Sequence, residues 1–279
     1  MLARVSIWEA LILGVVQGIT EFLPVSSSGH LVLLQKIFGI TEPALVFDTA
    51  VHGGTLIAVM VVLRRDIWNI LRRIIQPLTL YLIIATIPAV IIALLFKNLI
   101  EGAFASGAFL GFAFLVTAAL LFFSDKLCRR YEKDLSGKPP RAQGEIKWAD
   151  ALIIGLLQAA AIVPGISRSG ATISAALSRR LDRNFAARFP FLLSIPAILG
   201  ALVLQSRDLL KAASAPIDAG VIGPLPLIVG TVSACIVAFF SIRLTIKIVS
   251  KYSLSGFALY TGLLGFLVLA DKFIAHFFF

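Results

Sequence analysis

Apolar residues fill this chain in long, nearly unbroken runs rather than in the alternation of a half-buried strand or the one-sided stripe of a soluble helix. Six runs reach the roughly 17–25 residues that a helix needs to cross a bilayer: 47–63, 78–96, 105–124, 189–205, 224–242 and 255–271. Two more stretches, 7–40 and 149–178, are apolar but broken in the middle by Pro, Gly and Ser, which leaves halves short for spanning. The pattern predicts an all-α polytopic membrane protein with six transmembrane helices and two re-entrant helix pairs.

The two broken stretches resemble each other. Residues 10–30 laid over 151–171 without a gap agree at eight of 21 positions: Ala10, Leu11, Ile12, Gly14, Gln17, Ser26, Ser28 and Gly29 against Ala151, Leu152, Ile153, Gly155, Gln158, Ser167, Ser169 and Gly170. Downstream, Arg65-Asp66 recurs as Arg207-Asp208 and Asp125-Lys126 as Asp271-Lys272. An internal duplication accounts for this. It divides a single membrane domain, 1–279, into one repeat at about 1–126, a basic loop at about 125–149 and a second repeat at about 148–279. A broken pair and three spans give each half an odd number of crossings, so the second half should be inverted relative to the first.

Composition agrees with the pattern. The chain is 59% apolar and 14% charged, with a mean hydropathy of +0.96, where a soluble domain has about 45–50% and about 25%. The net charge of +10 does not imply nucleic acid, and no such partner is expected, because the basic residues are sorted by loop. Segments 64–76, 125–149, 179–188 and 243–253 hold 18 Lys and Arg; the opposite side holds six, Arg4, Lys36, Lys97, Arg207, Lys211 and Lys272. The positive-inside rule then puts the four basic segments in the cytoplasm and both termini outside. Cys128 and Cys235 would lie at different depths, so no disulfide is expected.

The chemistry concentrates at the two breaks. The first reads QGITEFLPVSSSGH, with Gln17 and Glu21 four apart on one helix face. A carboxylate at membrane depth costs about 2.5–3.5 kcal/mol on insertion scales, so Glu21 needs a partner or a wet cavity. The second break reads PGISRSGAT and places Arg168 between Ser167 and Ser169 where a helix restarts. Arg recognises phosphate oxygens bidentately, and helix-start amides with small hydroxyls complete an anion cradle. Its candidate members are Ser26, Ser28, Gly29, Ser167, Ser169, Gly170 and Thr172. Either Ser27 or His30 could attack phosphorus, and the residues alone leave the choice open. Glu21 could serve as base, orient His30, or hold Mg²⁺ or Ca²⁺ with Gln17. Asp48 and His52, four apart at the start of a span, could line the same cavity or pair at the interface. Gly107 and Gly111 form a GxxxG pair that would seat a neighbouring helix, a homodimer partner included.

These two motifs, in this order, resemble those of the undecaprenyl-diphosphate phosphatase family, also called bacitracin resistance proteins: the first its (Glu/Gln)-x-x-x-Glu and Ser-rich segment, the second its Pro-Gly-x-Ser-Arg-Ser segment. The likeness covers essentially the whole chain. It implies removal of the terminal phosphate of undecaprenyl diphosphate at the outer face of the bacterial cytoplasmic (inner) membrane, dependence on a divalent cation, and roles for Gln17, Glu21, Ser27, His30, Ser167, Arg168 and Thr172. Position 17 is Glu in some members and Gln here, so Glu21 must carry any carboxylate chemistry alone. A flippase or transporter of an anionic polyprenyl lipid is the rival reading, because inverted repeats with broken helices also build transporters. The Ser-Arg-x5-His pattern of type 2 phosphatidic acid phosphatases is absent, since no His follows Arg168 before His276.

Overall fold

Serine and proline set where several of the helices begin. Ser6 caps the first helix through a reciprocal bond pair with Glu9; Ser26 and Ser167 cap the two helices that restart after the breaks. Pro77 and Pro224 occupy the first turn of two long spans, where a missing N–H costs nothing. The computed structural model describes residues 5–40, 45–97, 99–100, 102, 109–133, 140–212 and 222–277. Among them are eleven α-helices: α1 (Ile7–Thr20), α2 (Ser27–Ile37), α3 (Leu45–Val62), α4 (Arg64–Arg72), α5 (Pro77–Leu95), α6 (Leu110–Lys133), α7 (Trp148–Ala160), α8 (Arg168–Ser178), α9 (Arg183–Ala212), α10 (Pro224–Lys251) and α11 (Ser255–Ala270).

Six of these, α3, α5, α6, α9, α10 and α11, are long and apolar enough to cross a membrane. They coincide with the six apolar runs, and the chain is a multi-pass membrane protein. Helices α9 and α10 begin or end well past the predicted limits because the helix continues into charged residues such as Arg183, Lys247 and Lys251, which apolarity alone does not count. Residues 105–108 of the third predicted run and Gly107 of the GxxxG pair lie outside the described residues. Gly111 packs against Gly265 and Leu269 of α11, so its small face is occupied within the chain. Segment 64–76, read as a loop, contains the amphipathic α4, whose Ile67 and Ile70 rest on the core.

The four basic segments meet at one end of the bundle. Arg188 pairs with Asp66 at 2.9 Å, the Arg141 amide donates to the Arg180 carbonyl, Arg129 donates to Ser253, and Arg183 donates to the Tyr252 carbonyl. Asp150, at the start of α7, binds Arg141 and Arg179 at 2.8 Å each, and Arg179 directly follows α8. The start of α7 and the end of α8 therefore lie together, at this basic end. Helix α7 has 13 residues, about 20 Å against about 30 Å of hydrocarbon. At the other end, Val5 before α1 clusters with Phe38 and Ile40 after α2 and with Ile222 before α10. The start of α1 and the end of α2 therefore lie together with the start of α10, whose other end, at Lys251, is among the basic segments.

Helix α1 packs along α10 and α7 packs along α5, each through a glycine. A Cβ at Gly14 would stand 2.4 Å from the Gly230 carbonyl oxygen, and one at Gly155 would stand 2.5 Å from the Ala85 carbonyl oxygen. Both helices thus approach their neighbours at backbone distance, which only Gly permits. Much of the remaining apolar surface, including Leu94, Phe123, Phe240 and Leu267, faces outward as lipid requires.

The Asp150 carboxyl carries the fixed end of α7–α8. Burial pushes its pKa up, but hydrogen bonds from Arg141 and Arg179 outweigh that and hold it below the ordinary carboxylate value. Asp150→Ala should destabilise the protein by about 1.5–3 kcal/mol, the scale of hydrogen bonds made to a charged group, measured as thermal unfolding in detergent. A depressed folded-state pKa gives stabilisation that is complete above the unfolded value of about 3.9 and is lost as the pH falls through the folded value. The difference between wild type and Asp150→Ala should therefore shrink below about pH 4.

Candidate functional site

Helices α1 and α7 both stop halfway, and their continuations meet. The Arg168 Nη2 donates to Glu21 Oε1 at 2.7 Å, Ser169 donates to the Leu23 carbonyl at 2.8 Å, and the Gly165 amide donates to the Ser28 hydroxyl at 3.4 Å. The two Ser-rich breaks therefore share one site. Glu21 has a side chain only 1% exposed, and Arg168 is the cation that compensates it.

The other oxygen of Glu21 is the more crowded. Oε2 accepts from Ser27 Oγ at 2.5 Å and from Gln17 Nε2 at 2.9 Å, and His52 Nε2 stands 3.8 Å away. Gln17 reaches it because a separation of four residues aligns side chains on α1. Ser27 reaches it because Ser26 turns the chain with φ 73° and ψ 95°, a region that a residue with a Cβ occupies at a cost of about 1–3 kcal/mol. Gly165 makes the matching turn in the second break, with φ +90°, where only glycine is unstrained.

His30 is placed elsewhere. Its Nδ1 lies 2.7 Å from the Ser26 carbonyl, its Nε2 lies 2.7 Å from the Tyr260 hydroxyl, and its ring stacks on Tyr260 and meets Phe114 edge-on. Both nitrogens are engaged, and neither contact is to Ser27 or Glu21. The contact with Ser26 fastens the strained turn that presents Ser27. Tyr260, the partner that completes this clamp, gives no signal in the sequence: it is a lone tyrosine in the last span.

The cradle residues mostly bind one another. Ser26 and Ser167 accept from the amides of Gly29 and Gly170 as helix caps, Ser167 lies against Ser169, and Thr172 donates to the Arg168 carbonyl. Thr117 of α6 ties the second break down by receiving the Ser167 amide and donating to the Gly165 carbonyl. What remains directed at the site is the opening turn of α2 and of α8, each the positive end of a helix dipole. A small cavity beside them is lined by Glu21, Arg168, Ser169 and Thr172 with Phe22, Pro190, Phe191 and Ser194.

A polar file leads from this site along α3. Asp48 accepts from Gln35 at 2.8 Å, Thr49 donates to Gln205 near the far end of α9, and His52 follows one turn deeper. For a cation the donors are few. Among the described residues no three His, Cys, Asp or Glu side chains converge. Gln17 Oε1, however, is buried without a hydrogen-bond partner, and such an orphan acceptor beside a carboxylate suits a hard cation that takes its other ligands from a bound phosphate.

Fold and site together define a multi-pass membrane protein with an oppositely charged pair buried where two broken helices meet. The chain belongs to the family of the bacitracin resistance protein BacA, whose model matches residues 10–267. It is 43% identical over 265 residues to undecaprenyl-diphosphatase 4 of Bacillus thuringiensis subsp. konkukian, covering 95% of this chain and 97% of that protein. It is likewise 43% identical over 264 residues to the undecaprenyl-diphosphatase of Carboxydothermus hydrogenoformans, covering 94% and 96%. An archaeal undecaprenyl-diphosphatase, from Methanosphaera stadtmanae, is 38% identical over 285 residues, covering 94% and 97%.

The convergence of the breaks is directly testable. In a background lacking Cys128 and Cys235, Leu23→Cys and Ser169→Cys should join through a short-reach bifunctional thiol reagent. Absence of the cross-link from protein labelled at both positions would contradict the geometry.

Proposed function

We propose that this protein hydrolyses undecaprenyl diphosphate to undecaprenyl phosphate and phosphate, returning the lipid carrier to cell-wall synthesis. The observation that carries the reading is the short contact of Ser27 Oγ with Glu21 Oε2 beside Arg168. A serine hydroxyl bound to a carboxylate is an activated nucleophile, and a guanidinium alongside receives the charge that grows on the transferred phosphoryl group. Ser27 attacks the terminal phosphorus and gives its proton to Glu21; the anhydride P–O bond breaks and undecaprenyl phosphate leaves, taking that proton from Glu21. Water then attacks the phosphoserine and loses a proton to the freed carboxylate, which passes it to the Ser27 oxygen as the P–O bond to serine breaks and phosphate leaves. Arg168 spends only Nη2 on Glu21, and the rest of its five-donor fork suits the terminal phosphate. The opening amides of α2 and α8 complete the cradle that Ser26, Ser28, Gly29, Ser167, Ser169, Gly170 and Thr172 shape. With both nitrogens of His30 engaged, the geometry favours Ser27 as nucleophile, with His30 holding its turn.

A divalent cation, Mg²⁺ or Ca²⁺, held by Glu21, Gln17 Oε1 and the diphosphate oxygens, would supply charge neutralisation on the phosphate. The membrane arrangement belongs to the same proposal. The pairs α1–α2 and α7–α8 are re-entrant from opposite faces, and the two halves are an inverted repeat. The reciprocal packing of α1 on α10 and α7 on α5 supports this. The clustering of the basic segments supports a cytoplasmic face there in the bacterial inner membrane, with both termini outside. The polar file of Asp48, Thr49 and His52 supports access from the outer face.

Purified protein in detergent should release phosphate from undecaprenyl diphosphate, and EDTA should suppress the release. Ser27→Ala, Glu21→Gln and Arg168→Ala should each lower kcat/KM by at least about 10²–10³-fold, the scale for removing one group acting on the transition state. Translocation of the lipid in proteoliposomes without phosphate release would instead establish the transporter reading.

A further inference from the structure

His52 is the residue at the site that the two motifs do not contain. It sits about two turns into α3, with its side chain 19% exposed and its Nε2 3.8 Å from Glu21 Oε2. Its Nδ1 lies 2.7 Å from the Asp48 backbone carbonyl. A carbonyl oxygen only accepts, so Nδ1 carries the hydrogen and, in the neutral ring, Nε2 presents its lone pair toward the carboxylate. A lone pair facing an anion is unfavourable; either a proton on Nε2 or a metal ion between the two groups relieves it, and a proton would draw them to hydrogen-bond distance. The distance fits the metal ion: 3.8 Å exceeds the usual hydrogen-bond range of about 2.7–3.2 Å, yet lies below the sum of about 4.0–4.3 Å for a metal–imidazole and a metal–carboxylate bond. An imidazole whose other N–H is held by a backbone carbonyl is also the usual arrangement of a metal-ligating histidine. The second, independent observation is Gln17 Oε1, wholly buried, unpartnered, and on the side chain whose amide nitrogen touches the same Glu21 oxygen.

From this geometry we propose that His52 Nε2 is a ligand of the site's divalent cation, with Glu21 and Gln17 Oε1 as its companions and phosphate oxygens filling the remaining positions. The inference rests on the hydrolase reading for the identity of the phosphate, but not for the binding of the ion. Its consequence is a change in metal preference. Glu21 and Gln17 alone form an all-oxygen set suited to Mg²⁺ or Ca²⁺, whereas an imidazole ligand adds affinity for first-row transition ions; Mn²⁺, which accepts both the oxygen donors and a nitrogen, is the paramagnetic probe among them. Asp48 is directed away, to Gln35, and Arg168 is on the opposite oxygen of Glu21, so neither blocks an ion between Oε2 and Nε2.

The test is Mn²⁺ binding to the purified full-length protein in detergent, with and without methylenediphosphonate as a non-hydrolysable diphosphate. Electron spin echo modulation of bound Mn²⁺ should show coupling to one imidazole nitrogen in wild type. That coupling should vanish in His52→Gln and persist in His30→Gln. His52→Ala should weaken Mn²⁺ binding at least about tenfold, while His52→Gln, which offers an amide oxygen, should recover Ca²⁺ binding but not the added affinity for Mn²⁺. A His30-dependent coupling, undiminished Mn²⁺ affinity in His52→Ala, or no Mn²⁺ binding by wild type under either condition would overturn the proposal. Phosphate release measured separately reports on the hydrolase reading, which survives any of these outcomes.

Discussion

A single contact between opposite charges, Glu21 with Arg168, organises the middle of this protein. Each charge is carried into the apolar interior by its own broken helix, and each is costly there without the other. Their pairing at 2.7 Å therefore requires the break after α1 and the break after α7 to meet. The small residues at Gly14, Gly155 and Gly165 follow from the same demand, because the broken helices reach the centre only by lying directly on neighbouring backbone. Chemistry and architecture are thus one constraint: the charge that would bind an anion also holds the halves in register.

Much of this was legible in the chain. The six spans, the two broken stretches and their mutual likeness follow from apolar run length and from recurring residues such as Gly14 with Gly155 and Ser26 with Ser167. That Glu21 needs a partner or a wet cavity follows from the cost of a carboxylate at membrane depth; that Arg168 is this partner is seen only in the structure. What escaped were the features decided by direction rather than by residue type. His30 lies next to the serines in the chain, yet the φ of Ser26 turns Ser27 toward Glu21 while His30 bonds back to Ser26 and across to Tyr260. The sequence offers His52 as a residue that could line the same cavity or pair at the interface; its place beside Glu21, 31 positions away, is decided by the packing of α3 against α1. The charged ends of α9 and α10 were missed because apolarity marks where a helix meets lipid, not where its hydrogen bonding stops.

The two histidines divide the labour that the sequence assigned to one. His30, closed in by Tyr260 and Phe114, works through the backbone it fastens, while His52 faces the carboxylate with its free nitrogen. Arg168 completes the set from the far half of the chain. A site assembled in this way, from α1, α2, α3 and α8, places chemical groups from both halves around one point where neither half alone offers a complete set.

A double-mutant cycle on Glu21 and Arg168, read as thermal unfolding in detergent, tests most directly whether this charge pair joins the halves. If it does, Glu21→Gln and Arg168→Gln each lower stability by stranding the opposite charge, and the double variant is more stable than either single one. Losses that simply add, with the double variant the least stable of the three, would contradict the coupling.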